Sequence, residues 1–372
     1  MDKVLSIIVP TYNMERYLDK CLSSLCVTDH NLLNTLEVLV INDGSKDASS
    51  KIGHRYHDEY PYVFRVIDKE NGNYGSCINR GLKEATGKYI KVLDADDYFD
   101  TVSLEMFLKM LMDIDTDVVF SDYKVVSHEG DTLHINEMDD SLPRNVFLQF
   151  DEKYANILGQ NMQMYFITYK TQNLRKISYS QTEGISYTDT EWRFTPMSTV
   201  RTFYVTSLNL YNYYIGRENQ TMNREVLSGK MDDFIKIMEY MFDISEHYIG
   251  DNAHQLYYHL QLMWFMKYLY SEGIIFKLFQ ESDLKKLDAS LKAKSPKYYY
   301  EMGTQVVPNT QYQYISHWRM GKSFYWYTMR TAGFSGFLRA LVGASDAGIL
   351  TPVILSKIIN AIANKYWTKK WA

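Results

Sequence analysis

The sequence predicts an α/β fold, a mostly parallel sheet with flanking helices, followed by a C-terminal helical region. Three observations carry this. Short apolar runs alternate with helical patterns of about ten residues through residues 1–125, as in strands joined by crossover helices. Each run stops at polar or small residues, and open α/β sheets bind ligands at those carboxyl ends. Over residues 230–295 the pattern turns helical, with Phe234, Met238, Met241 and Phe242, then Leu256, Leu260, Met263, Trp264 and Met266, as in a packed helical subdomain.

The elements follow in order. Leu5 to Val9 is a first strand, ended by Pro10-Thr11-Tyr12-Asn13, and Leu18, Cys21, Leu22 and Leu25 then share a helix face. Leu36 to Ile41 is a second strand, ended by Asn42-Asp43-Gly44-Ser45 before a second helix. Val63 to Ile67 is a third, ended by Asp68-Lys69-Glu70-Asn71-Gly72. A helix from Ser76 to Ala85 leads to a fourth strand that runs into Asp94-Ala95-Asp96-Asp97. Thr11, Asp43, Asn71 and Asp94 are thereby expected around one cleft.

Carboxylates crowded together raise one another's pKa unless a cation neutralises them. Asp94 and Asp96 are therefore candidate ligands of a divalent metal bridging two phosphates, since hard cations take oxygen donors. A solvated turn is the competing reading of a three-Asp run. Thr11 and Asp43 are placed to hydrogen-bond a base and ribose. No G-x-x-x-x-G-K-[ST] loop and no G-x-G-x-x-G opens a helix, which counts against a P-loop nucleotidase and a dinucleotide fold.

Pro10-Thr11-Tyr12-Asn13, Val40 to Ser45, Asn71-Gly72-x-x-Gly75-x-x-x-Asn79-Arg80-Gly81, Gly87 to Ile90 and Asp94 to Asp97 together resemble a family 2 glycosyltransferase of GT-A fold. The resemblance covers residues 1–125, in order and at the family's spacings. It implies inverting transfer of a sugar from a nucleotide diphosphate, usually with Mg or Mn. It implies nucleoside contacts, usually uridine, at Thr11 and Asp43. Asp94 falls on the ribose–diphosphate side and Asp96 on the metal. Pro10, Asn13, Asn71, Gly75, Asn79 and Ala95 fall in the matched donor-binding motifs. Many members have Ala-Arg-Asn where this chain has Cys77-Ile78-Asn79, so that Arg is missing, although Arg80 is adjacent.

Farther along, Gly184 to Trp192 resembles the family's Glu-Asp segment, with Thr188 where Glu is usual and Asp189 kept. Direct displacement needs a carboxylate to take the acceptor hydroxyl's proton, and Asp189 is the expected base. The alternatives are an Asp189 that only N-caps a helix starting at Thr190, and a base at Glu191. Glu191 and Trp192 are candidate acceptor contacts, Trp192 as a sugar platform or as core. Tyr213 to Met222 resembles the segment whose Arg, here Arg217, holds the leaving diphosphate; a plain surface Arg is the other reading.

Domain boundaries are expected at 1–225 for the catalytic domain, with a nucleotide-sugar half to 125 and an acceptor half from 126. A helical subdomain follows at 226–312, then a basic, Trp-rich segment at 313–372. From Trp318 onward eight Lys and Arg face a lone Asp346, although the whole chain carries −5. Val353 to Trp371 reads as a cationic amphipathic helix with interfacial aromatics, as in segments lying on an anionic membrane. A helix packed on its own domain or in an oligomer interface is the alternative. No apolar run reaches the roughly 18 residues of a spanning helix. The chain is expected to lack a signal peptide, and its three scattered cysteines suit a reducing cytoplasm. The expectation is a peripheral enzyme on the inner face of the plasma membrane, using a nucleotide sugar, a UDP-sugar foremost, with no nucleic-acid partner. Its acceptor would be a polyprenyl-diphosphate-linked glycan of bacterial surface-polysaccharide assembly. The other readings are a soluble glycosyltransferase acting on protein or free glycan, a non-catalytic sugar-nucleotide scaffold, and a nucleotidyltransferase, whose Gly-rich first loop is replaced here by Pro-Thr-Tyr-Asn.

Overall fold

The computed structural model describes residues 2–322, apart from 128–129, 161, 217–222, 249 and 308–311. The described chain divides into two units, Met1–Asn223 with Asp243–Leu260, and Arg224–Phe242 with Gln261 onward.

The first unit is built on a 10-stranded sheet. Strands β1 (Leu5–Thr11) and β2 (Leu36–Asn42) are buried along their whole length, which is why they read as continuous apolar runs. They pair in parallel, Leu5 opposite Leu36 through Thr11 opposite Asn42. Strand β3 (Phe64–Asp68) joins β2 and β4 (Tyr89–Val92) joins β1, both in parallel, so the order 3-2-1-4 reverses at β1. The reversal opens a crevice at the carboxyl ends of β1 and β4. Pro10 lies past the point where β4 pairs with β1, so its missing N–H costs no ladder bond there.

The second half of this sheet is mixed. Strands β5 (Tyr98–Phe99), β6 (Val118–Val126), β7 (Thr132–Asn136), β8 (Phe147–Gln149), β9 (Ile167–Lys170) and β10 (Thr202–Tyr214) complete it. β9 runs antiparallel between β4 and β6, while β10 lies parallel to β6 and antiparallel to β5 and β8. The helices of the first half are α1 (Leu18–Ser23), α2 (His30–Leu33), α3 (Ser49–Glu59), α4 (Asn73–Glu84) and α5 (Thr101–Asp113). Helices α6 (Glu152–Leu158), α7 (Thr171–Lys176) and α8 (Asp189–Phe194) follow.

Then come α9 (Arg224–Ser228), α10 (Met231–His247), α11 (Asn252–Ile274), α12 (Glu281–Lys294), α13 (Pro296–Gly303) and α14 (Tyr314–Arg319). In the second unit the expected stripe of Phe234, Met238, Met241 and Phe242 is buried. Arg319 pairs with Asp288 at 2.6 Å and lies over the Tyr299 ring, while Trp318 donates to Glu281. These two residues, counted from sequence with the basic tail, belong to the packing of this unit. Residues 323–372, and with them the expected amphipathic helix, lie outside the described residues. Among the described residues no helix is long and apolar enough to cross a membrane.

Candidate active site

Thr11 and Asp43 end neighbouring parallel strands, and the Asp43 N–H donates to the Thr11 carbonyl at 2.8 Å. Both are buried. The Asp43 carboxylate accepts the N–H of Gly72 at 2.9 Å and of Asn73 at 3.0 Å, the backbone where α4 begins. It also pairs with Lys69, whose ammonium reaches Ser76 as well. Lys69, just past the end of β3, is thus drawn inward by a buried charge. Asn71 donates its amide to the Asp43 carbonyl, and Asn13, at φ +54°, accepts the Lys46 N–H. Asn13 ties together the loops after β1 and β2, and its amide oxygen is engaged there.

The D-x-D turn divides its acids between two jobs. Asp97 is buried and accepts the Tyr211 hydroxyl at 2.6 Å and the Tyr214 N–H at 2.7 Å, which anchors β10. Burial, then Asp96 and Asp94, pushes its carboxyl well above the usual range. Asp94 and Asp96 are half-buried, and the buried Ala95 between them turns into the core. Asp94 accepts the Tyr74 hydroxyl at 2.9 Å, and its N–H donates to the Tyr211 oxygen at 3.2 Å. Fully buried Lys91 donates to the Tyr165 and Ile167 carbonyls, and burial lowers its pKa to about 7. The turn it holds carries Tyr165, which stacks on Tyr213 at 4.8 Å and packs against Tyr211 at the same distance.

Asp189 is the first residue of α8, half-buried. The cap position is Thr188, so the expectation of an Asp189 cap on a helix starting at Thr190 is corrected by one residue. Thr188 makes no cap bond: its backbone is already helical rather than extended, and its hydroxyl donates to Gln181 at 3.0 Å. Burial raises the Asp189 carboxyl above its ordinary value, against the attraction of Arg193. Burial raises the Tyr74 phenol well above its usual pKa, and the charges of Asp94 and Asp189 raise it further. Tyr165 feels Asp94, Asp97 and Asp189 in the same way. Tyr74 and Tyr165 thus lie within electrostatic range of both the D-x-D turn and Asp189.

Other expected contacts fall elsewhere. Trp192 is 1% exposed, edge-on to Tyr169 and Tyr179, so it is core and offers no face to an acceptor sugar. Glu191 is 0% exposed and accepts the Thr182 N–H at 2.8 Å, pointing inward rather than at an acceptor. Asn79, expected on the donor, gives its amide to the Gln181 carbonyl and to Glu183, and its oxygen accepts the Gln181 N–H. At Gly75 a Cβ would stand 2.1 Å from the Thr182 carbonyl oxygen, so glycine serves close packing here. Arg217 lies outside the described residues. Sequence reasoning missed Tyr74, Tyr165 and Tyr211. The only signal was the run of tyrosines near residue 211, which alternation on a strand would have aimed at the site.

Residues 6–192, half of the chain, match the sequence model of Glycosyl transferase family 2. The chain belongs to that family. Among curated relatives it is 26% identical over 187 residues to the glycosyltransferase GlyA of Streptococcus pneumoniae, covering 50% of this chain and 25% of GlyA. It is 37% identical over 114 residues to the uncharacterized glycosyltransferase YibD of Escherichia coli, covering 31% of this chain and 32% of YibD. The matches thus span a quarter to a third of these relatives. Among solved structures, S. aureus TarS 1-349 in complex with UDP-GlcNAc superposes with a TM-score of 0.67 at 20% identity, over 86% of this chain and 93% of that TarS 1-349 chain. This family 2 chain has the GT-A fold, with Asp43, Asp94 and Asp96 at its strand ends.

Proposed function

We propose that this chain is an inverting glycosyltransferase that moves a sugar from a nucleotide diphosphate to an acceptor hydroxyl. One observation supports the reading: Tyr74 bonds to Asp94 and lies within electrostatic reach of Asp189, which brings the candidate base near the candidate donor-side carboxylate. Thr11 and Asp43 take the nucleoside side. The UDP-GlcNAc bound to TarS supports a UDP-sugar as donor.

Asp94 and Asp96 would hold a divalent cation, Mg or Mn. The donor set fits one: two half-buried carboxylates whose charge, with that of Asp97, adds to burial in raising the Cys21 thiol. Among the described residues no group of three His, Cys, Asp or Glu forms a cage, so the protein would supply only part of the coordination shell. When bound, such a cation neutralises charge on the leaving diphosphate. Asp189 takes the acceptor hydroxyl's proton as the new bond forms, and its raised proton affinity suits a general base. Arg217 is the further candidate for the diphosphate. A thermal-shift panel of UDP-, GDP- and dTDP-sugars with Mn, and NMR of the product's anomeric configuration, test this. A retained configuration contradicts direct displacement.

The proposed acceptor is a polyprenyl-diphosphate-linked glycan in bacterial surface-polysaccharide assembly, met on the cytoplasmic face of the plasma membrane with residues 350–372 against anionic lipid. That part rests on sequence alone. The rival, a soluble enzyme acting on protein or free glycan, draws support from Trp318 and Arg319, which pack within their own unit. Flotation with anionic liposomes decides: wild type should float and a chain lacking residues 350–372 should not. Wild type that ignores the vesicles sinks the membrane reading.

A further inference from the structure

Gly72 at the cap of helix α4, and Gly75 and Asn79 one turn apart within it, all meet the segment leading to Asp189. The Gly184 N–H donates to the Gly72 carbonyl at 3.2 Å. The Thr182 carbonyl lies where a Gly75 side chain would be. Asn79 exchanges two hydrogen bonds with the Gln181 backbone, at 2.7 and 2.9 Å, and donates to Glu183 at 2.8 Å. The same start of the segment is also held from the α8 side, where Glu191 accepts the Thr182 N–H at 2.8 Å and the Thr188 hydroxyl, just before α8, donates to the Gln181 side chain at 3.0 Å. The other Glu191 oxygen is buried and has no protein partner among the described residues. A buried carboxyl committed in this way costs stability unless its site rewards it. The start of α4 meanwhile holds Asp43 through Gly72 and Asn73, and Asp94 through Tyr74.

We propose that Asn79 and Glu191 are positioning residues: Asn79 clamps segment 181–188 to α4, Glu191 ties the same segment to α8, and together they set Asp189 against the donor carboxylates. The inference deepens the proposed function and rests on Asp189 as its base. It assigns Asn79 to the acceptor-side machinery, although its motif lies in the donor half.

The clamp can be read without substrate. Gln181, Thr182 and Gly184 each donate a backbone N–H to it, so amide hydrogen exchange in the ligand-free protein reports it directly. In Asn79→Ala, exchange at Gln181 should rise by about 10-fold or more, UDP affinity measured with Mn should stay within about threefold, and kcat should fall about 10²-fold, the scale of an ångström's misplacement. Asn79→Asp keeps the acceptor for Gln181 but sets a carboxylate against Glu183. Adding Glu183→Gln should recover part of that kcat loss, a coupling that a purely destabilising change would not produce. Glu191→Gln keeps an acceptor for Thr182 and should lose much less kcat than Glu191→Ala. Unchanged Gln181 exchange in Asn79→Ala overturns the clamp. So does a loss confined to UDP affinity, which would return Asn79 to the donor. Glu191→Gln as inactive as Glu191→Ala, with an altered pH profile, would make Glu191 the base and overturn its positioning role. Full turnover by Asp189→Asn overturns the base assignment, whereas amide exchange at Gln181 tests the clamp whichever residue is the base.

Discussion

Asp43 follows a fully buried strand and Asp189 opens a short helix, and the two acids are held in opposite ways. Asp43 is enclosed by its own neighbourhood, with Lys69, Gly72 and Asn73 all within 30 residues. The surroundings of Asp189 are assembled from far away. The Asn79 clamp on Gln181 spans 102 residues, and the bonds from Asp97 that seat Tyr211 and Tyr214 span 114 and 117. The nucleoside half is a set of local strand-end turns that carry their own backbone donors. The base half is a long-range assembly whose geometry depends on β9, β10 and α8 all arriving. Substitutions should therefore act differently in the two halves, on stability and donor affinity in the first and on turnover in the second.

The largest expected effect is at Asp189. Asp189→Asn preserves size but cannot take the proton, and turnover should fall about 10²–10⁴-fold with donor affinity nearly unchanged. Stopped turnover accompanied by lost UDP binding would erase the contrast between the halves. Next comes Asp96→Ala. Removing a ligand to a charge-neutralising cation should lower turnover about 10²-fold or more, and chelation of the wild type should imitate it. Full activity in excess EDTA would remove the metal from the scheme.

Asp43 sharpens the comparison from the other side. Asp43→Ala strands two backbone N–H groups and the Lys69 ammonium, so it should cost about 3 kcal/mol of stability, measured by urea denaturation, and weaken UDP binding. A stable variant with normal UDP affinity but low kcat would contradict the division.

The smallest effect is a pH dependence. Burial raises the Glu191 carboxyl to about 7. Between about pH 4.5 and 7 the folded protein keeps a proton that the unfolded chain has released, so this group's contribution to stability declines as pH rises through that window. Glu191→Gln removes the titration. Its stability relative to wild type should improve by about 1–3 kcal/mol from pH 5 to pH 8. Parallel stability curves for the two proteins would show that Glu191 does not titrate there.

By itself the sequence determined the parallel half of the sheet and the acids at its strand ends. Buried strands must be apolar throughout, their ends must be polar, and Thr11, Asp43 and Asp94 stand at such ends within a few residues of their turns. It set the helix start at Thr190, one residue past its observed start at Asp189, and misjudged the neighbours of Asp189. Trp192 and Glu191 are equally able to face solvent or core on a six-residue helix, and only the approach of Tyr169, Tyr179 and Thr182 turned both inward. Asn79 and Gly75 looked like donor contacts because their motif lies among donor residues. The tertiary structure spent them on a segment about a hundred positions away. Hydrogen-bond capacity is finite, and which partner claims it is decided by what the fold brings within 3 Å of the group, a distance that no local pattern encodes.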